Sequence, residues 1–291
     1  MKPEALSELE EDTWWGLPWP ADNDLWRAWR SSLGFIVLES PVLLGEADDR
    51  ALLQALQLGL VQPWHLPARL VLREQALALQ ISWSEADPAP LGDLAAAMLD
   101  DAQTALGLLR DGAQQELSAA PDGLEPEPPS PAALQLMEDL FALLEQDPEL
   151  GPLCELDDDT GELLIATEDE DCLFLLRPLL AASPGEAVRL AVLMPQAMLP
   201  EDPPALRVTL QEQLASNDAL QMGPQLQWVA DAGGQQVFMQ GLLEPAACTL
   251  EQLRLLLARM LALDAELAGD DSGPQAGPLD PLQLYLSGLR A

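Results

Sequence analysis

Between Leu153 and Leu179 the chain reads LCELDDDTGELLIATEDEDCLFLLRPL, three short apolar runs separated by acids. Leu153 to Leu156, Leu163 to Thr167 and Leu173 to Leu176 have strand length, and the intervening DDDTG and EDED supply Asp and Gly turn chemistry. The stretch predicts an antiparallel meander, and its flanks complete a module. Upstream, Ser130 followed by Pro131 makes an N-cap and first-turn pair, and Leu134, Met137, Phe141 and Leu144 recur at helical spacing, predicting a helix as far as Gln146. Downstream come a strand over Val188 to Met194, a short helix over Ala205 to Ala215, and a hairpin of Leu226 to Ala230 with Val237 to Leu243. That hairpin turns at Asp231-Ala232-Gly233-Gly234. A long helix begins at Thr249, where Gln252 stands at capping-box spacing and Leu250, Leu253, Leu257, Met260 and Leu261 share one broad face. The expected fold class is α+β.

The first half repeats part of this order. Ile36-Val37-Leu38, Pro41, Leu44-Gly45-Glu46 and Leu52 to Leu56 match Ala191-Val192-Leu193, Pro195, Leu199-Pro200-Glu201 and Leu206 to Leu214. A hairpin follows in Leu70 and Leu72 with Leu77, Leu79, Ile81 and Trp83, alternating as a half-buried strand pair does. Leu91, Leu94, Met98, Ala102, Ala105 and Leu109 then match the helix from Thr249, and the displacement stays at about 154 to 158 residues throughout. Counterparts of the leading helix and of the first strands are missing from this copy, because the offset would set them before residue 1 or in a Trp-rich segment.

The expected domains are a Trp-rich segment over 1–32, a truncated module over 33–118, a linker over 119–130, a complete module over 131–268 and a tail over 269–291. The linker rests on AAPDGLEPEPPSP, whose prolines and acids leave nothing to pack. In the tail, Leu282, Leu284, Leu286 and Leu289 could make a helical turn or two. WWGLPWPADNDLWRAW, from Trp14, shows neither a helical nor a strand period before Asp24. Either it replaces the missing elements of the truncated copy, or it is an arm that orders on a partner, with Trp14, Trp15 and Trp19 as contacts.

Composition narrows the function. With 48% hydrophobic residues in 291 the chain can bury real cores, and 49 acidic against 13 basic residues give a formal charge of −36. Phosphate backbones and anionic bilayers are repelled by such a chain, so no nucleic acid and no membrane is expected as a partner. No apolar run reaches the roughly 20 residues of a membrane span, and Met1 to Asp12 is acidic rather than signal-like, so a cytoplasmic protein is expected. Cys154, Cys172 and Cys248 are odd in number and lack CxxC spacing, which argues against a disulfide framework and a zinc site and for buried free thiols.

Catalytic material is scarce. The single histidine, His65, stands among Pro63, Trp64 and Pro67, and no Gly-rich phosphate loop, HExxH or GxSxG occurs. Asp157 to Gly161 with Glu168 to Asp171 invites a calcium reading, since Glu168 is twelfth from Asp157; but Gly161 is fifth where an EF-hand loop needs glycine sixth, and strands flank it. Solvated turns are expected there. No enzyme activity, cofactor or metal is therefore expected, although a hydrolase built on one cysteine would reveal itself by losing activity on Cys→Ser substitution.

The second half resembles the class I type III secretion chaperones, the Tir-chaperone or CesT-like family. The resemblance lies in the order of elements and in LCELDDDTGELLIAT, EDEDCLFLLRPL, AVLMPQAMLPED, LASNDALQMGPQLQWVADAGGQQVFMQGLL and TLEQLRLLLARMLALDAEL. It covers residues 131 to 268 and, through the repeat, residues 33 to 110 more faintly. It implies a protein of the bacterial cytoplasm that holds the N-terminal segment of a secreted effector extended and export-competent, without nucleotide, with secretion-apparatus components as further partners. Family members pair as homodimers of one module, largely through the short helix and its neighbouring strands. Two modules on one chain imply an intramolecular pseudo-dimer, a monomer with pseudo-two-fold symmetry, each module a twisted antiparallel sheet packed with helices.

Client contact by sheet-edge addition and apolar pockets would fall to Leu134, Met137, Phe141, Ile165, Phe174, Trp228, Phe238 and Met239. Phe238 and Met239, as strand neighbours, face opposite ways. The alternative is a regulatory adaptor of a secretion system that binds another chaperone or a transcriptional activator.

Overall fold

The computed structural model describes residues 15–18, 25–30, 35–43, 46–61, 64, 68–73, 75–84, 91–112, 131–157, 160–166, 172–179, 189–219, 226–243 and 249–267. They form an α+β fold of two antiparallel sheets and five α-helices.

The first sheet contains β1 (Trp15–Pro18), β2 (Leu25–Arg30), β3 (Phe35–Leu43), β4 (Ala68–Arg73) and β5 (Ala76–Ser84), in the order β1-β2-β3-β5-β4. Its helices are α1 (Asp49–Val61) and α2 (Leu91–Gly112). The Trp-rich segment thus contributes two strands: Leu17 pairs with Trp26 in β1–β2, and Ala28 with Leu38 in β2–β3. Of the two readings of that segment, the strands stand where missing early strands would stand. Period two is illegible there because these strands are four and six residues long and Trp26 and Trp29 have opposite parity.

The other sheet follows α3 (Pro131–Leu144) and a 3₁₀ turn at Gly151–Leu153. It has β6 (Cys154–Asp157), β7 (Glu162–Ala166), β8 (Cys172–Leu179), β9 (Arg189–Met198), β10 (Leu226–Ala230) and β11 (Gln236–Leu243), in the order β10-β11-β9-β8-β7-β6, with α4 (Pro203–Ala219) and α5 (Leu250–Leu267). Read from one edge, β4-β5-β3-β2-β1 and β10-β11-β9-β8-β7 are the same order, and among the described residues the first sheet has no counterpart of β6. The described elements before β3 include no counterpart of α3.

The chain condenses into two compact units that do not follow the sequence halves. One contains Met1–Glu125, Ala182–Pro184 and Gln196–Phe238, and the other Pro126–Ala181, Gly185–Pro195 and Met239–Ala291. In the first unit Leu38, Leu70, Leu77, Leu79, Leu52 and Leu56 are buried, and so is a polar row across the sheet. Glu39 and Arg69 each stand opposite Gln80. Gln80 Nε2 donates to Glu39 Oε2 at 2.7 Å, Arg69 Nε to Gln80 Oε1 at 3.3 Å, and Arg73 pairs with Glu39 at 2.8 Å. Each polar group has a partner, which such burial requires. In the second unit Ala133, Met137, Leu140 and Leu144 of α3 are buried, and α3 packs on β6, β7 and β8.

The helix starts obey local chemistry. Asp48 Oδ1 accepts from Ala51 N–H at 2.8 Å, Asp202 Oδ2 from Ala205 N–H at 3.1 Å, and Thr249 Oγ1 from Gln252 N–H at 3.2 Å. Asp48 and Asp202 thus cap α1 and α4 by the same device, and Pro203 starts α4 at the position where a missing N–H is harmless.

The β4–β5 turn is strained. Gln75, exposed, has φ +76°, a left-handed conformation that costs a side-chain-bearing residue roughly 1–2 kcal/mol. Gln75→Gly is expected to raise stability by about 0.5–1 kcal/mol after the extra unfolded-state entropy of glycine is counted. A higher denaturation midpoint at unchanged slope would register it.

Candidate functional site

Unit by unit, the side chains named from sequence fall into different classes. Ile165 and Phe174 are cross-strand partners in β7 and β8, on elements that α3 covers, and with Met137 they are at most 1% exposed. Leu134 and Phe141, seven residues apart on α3, are half-buried at the rim. Trp228 is 5% exposed and Met239 fully buried, while Phe238 is half-buried between buried neighbours of the opposite strand face. Met137, Ile165, Phe174, Trp228 and Met239 therefore serve packing here, and Leu134, Phe141 and Phe238 retain surface. Trp15 lies in β1; Trp14 and Trp19 lie outside the described residues, as do the 269–291 tail, the 119–130 linker and the acids Glu168 to Asp171.

α5 carries surface that the sequence reading passed over. Leu250, Glu251, Arg254, Leu255, Ala258, Arg259 and Ala262 of this helix line an open groove of about 730 Å³, and Leu255 is 55% exposed. The inner edge of this helix is anchored by charge. Arg254 hydrogen-bonds Asp147 and Glu149, and Asp147, only 2% exposed, also accepts the N–H groups of Glu149 at 2.9 Å and Leu150 at 3.0 Å. Burial pushes the Asp147 carboxyl up, but those N–H groups and the Arg254 charge outweigh it and hold it below the usual carboxylate range.

The densest long-range polar bonding lies in the first unit, where α1 packs on β10 and α4 packs on β4. Each strand is the edge of its sheet, so each has backbone groups to satisfy. Asn217 of α4 does this for two strands at once: its Nδ2 donates to the carbonyls of Leu70 at 3.1 Å and Trp228 at 3.2 Å, and its Oδ1 accepts the Trp228 N–H at 2.6 Å. On α1, the Gly59 carbonyl accepts Gln227 Nε2 at 3.1 Å, and Gln57 Nε2 donates to the carbonyls of Asp231 at 3.2 Å and Ala232 at 3.0 Å in the β10–β11 turn. That turn is shaped by Asp231, whose carboxylate accepts from Gly233, Gln235 and Gln236. Gly234 there has φ +63°, and a Cβ on it would stand 2.9 Å from Leu53 Cδ2 of α1. Arg207 of α4 completes the set by donating to Asp49 at 2.5 Å and Glu46 at 2.6 Å, beside the start of α1; the Asp49 hydrogen bond foremost raises its pKa.

The Asp231 turn and Trp228 were legible in the sequence, but Gln57, Gly59, Arg207 and Asn217 did not stand out. A faint signal was present: Leu210, Leu214 and Asn217 share one helical face, and an Asn on an apolar stripe is a request for buried partners.

The remaining chemistry is quiet. Asp157 closes the β6–β7 turn by accepting from Thr160 N–H at 3.2 Å, and no group of three His, Cys, Asp or Glu among the described residues could hold a metal. Cys154 is a half-buried free thiol, which burial and then the Asp147 charge push up to about 12, so it is neutral at physiological pH. Cys248, His65 and the side chain of Cys172 lie outside the described residues, though Trp64 beside His65 is fully buried. No helix among the described residues is long and apolar enough to cross a membrane. A scan against protein-family models and searches of curated proteins and of solved structures return no match to this chain.

Proposed function

We propose that the chain is a non-catalytic type III secretion chaperone of the bacterial cytoplasm, folded as an intramolecular pseudo-dimer, that holds the N-terminal segment of a secreted effector export-competent. The observation that carries this reading is the crosswise packing of α1 on β10 and α4 on β4. The short helix of each copy lies against the edge strand of the other, the kind of contact that the resembled family makes between two chains. The shared strand order of the two sheets supports it further. A charge of −36 suits a holder of polypeptide that must avoid nucleic acid and anionic lipid.

Client contact is assigned to the rim of α3 at Leu134 and Phe141, to Phe238, and to the α5 groove around Leu255, where apolar side chains keep exposed area. Native purification of the tagged chain from its source cell tests the reading. Recovery of the N-terminal fragment of a secreted protein supports it, and exclusive recovery of a transcription factor or of a second chaperone would sink it in favour of an adaptor. Phe141→Ala is expected to lower client recovery by about tenfold, as loss of an aromatic anchor does, without altering the elution volume of the free chain.

A further inference from the structure

α1 and α4 are corresponding helices of 13 and 17 residues that end at Val61 and Ala219, so α4 is longer by one turn at its start. Aligned from those ends, Leu52 falls with Leu210 and Leu56 with Leu214, and all four are fully buried. The next buried pair is unlike, since Gly59 falls with Asn217, and each of these two meets the other copy's edge strand. Two residues earlier Gln57, which donates to the β10–β11 turn, falls with Ala215, which has no amide to give.

We infer that the two halves of the chain are built to pair with each other and not with a second copy of themselves, and that Gly59, Asn217 and Gln57 decide this. The inference rests on the pseudo-dimer reading. If two C-terminal halves paired, Asn217 would come to the seat that α1 fills with Gly59. A Cβ at Gly59 stands 3.1 Å from Val229 Cγ1 and 3.5 Å from Gln227 Oε1, so an asparagine in that seat must push Val229 or Gln227 aside. Ala215 in place of Gln57 would also leave the carbonyls of Asp231 and Ala232 without their donor. If two N-terminal halves paired, Gly59 would face β4, and the Leu70 carbonyl would lose the amide that Asn217 supplies. One wrong pairing collides and both lose hydrogen bonds, which is discrimination by penalty as well as by attraction.

The test starts from the intact folded chain carrying an inserted protease site within 119–130, cleaved after folding and mixed with an isotope-labelled copy. Native mass spectrometry then reads which fragments remain together. The expected species is one N-terminal with one C-terminal fragment near the 31.4 kDa of the chain. Like pairs as abundant as unlike ones would overturn the inference, and so would separation into single fragments. Gly59→Asn is expected to reduce the retained unlike pair by about tenfold or more. Gly107→Asn, on α2 where an added Cβ meets nothing within 4 Å, should leave it unchanged, and equal behaviour of the two variants counts against the inference. Failure of the underlying reading registers separately: before cleavage, light scattering at twice 31.4 kDa ends the pseudo-dimer, whereas 31.4 kDa with promiscuous fragments ends only the specificity.

Discussion

Asn217→Ala is expected to destabilise the chain by about 3 kcal/mol, the cost of leaving buried backbone groups without partners at roughly 1–3 kcal/mol each. The side chain is 1% exposed and makes three hydrogen bonds to backbone, so alanine strands the Trp228 N–H and removes a donor from the carbonyls of Leu70 and Trp228 where water does not reach. Urea denaturation of the full chain measures it, and a loss under about 1 kcal/mol would mean that these groups find other partners. Asn217→Asp separates hydrogen bonding from packing. Its carboxylate still accepts from Trp228 but faces two carbonyl oxygens with no proton to offer, whereas the protonated acid can donate to one. Burial and that repulsion raise its pKa in the folded state, so the deficit relative to the parent chain is full at high pH and narrows as pH falls through the raised value.

Arg254→Met should cost about 2 kcal/mol at neutral pH. Removing one member of a buried ion pair costs roughly 3–5 kcal/mol in general, and the figure is reduced here because Arg254 is 20% exposed and Asp147 keeps two backbone donors. The pH dependence carries the diagnosis. The folded-state pKa of Asp147 is depressed, so its contribution is fully present above the unfolded value near 3.9 and is lost as pH falls through the folded one. The stability gap between parent and variant should therefore stay flat from about pH 7 to about pH 5 and close below about pH 4. A gap that stays unchanged below about pH 4 would assign the loss to packing of the arginine stem instead. Asp147 also accepts from the N–H groups that open the turn after α3, so the same titration loosens the entry to β6.

Much of the fold was legible because its signals are local. Strand and helix positions in the second half needed only period, turn residues and caps: the hairpin strand Leu226–Ala230 lies where its apolar run predicts, and α5 starts after Thr249, whose hydroxyl caps it. The α4 helix extends beyond its expected end at Ala215 to Ala219, carried past a polar stretch by the tertiary bonds of Asn217. The Trp-rich strands were less legible, since four and six residues hold too few repeats to show a period and pairing supplies what pattern lacks. Among candidate contact residues, an apolar face announces burial without saying which member of it lies at a rim. Leu134 and Phe141 keep surface while Met137 between them keeps none, and only the position of the sheet beneath α3 separates them.

By itself the sequence determined the α+β class, the β10–β11 turn and the cap at Thr249, because each is a property of residues within a few positions of one another. Tertiary structure alone decided which edge strand each short helix covers. Gln57 reaches the Asp231 turn across 174 residues and Asn217 reaches Leu70 across 147, and no local propensity encodes a hydrogen bond of that separation. The physical reason is that a buried amide is satisfied only where folding brings a backbone group to it, so its partner exists only in the folded chain.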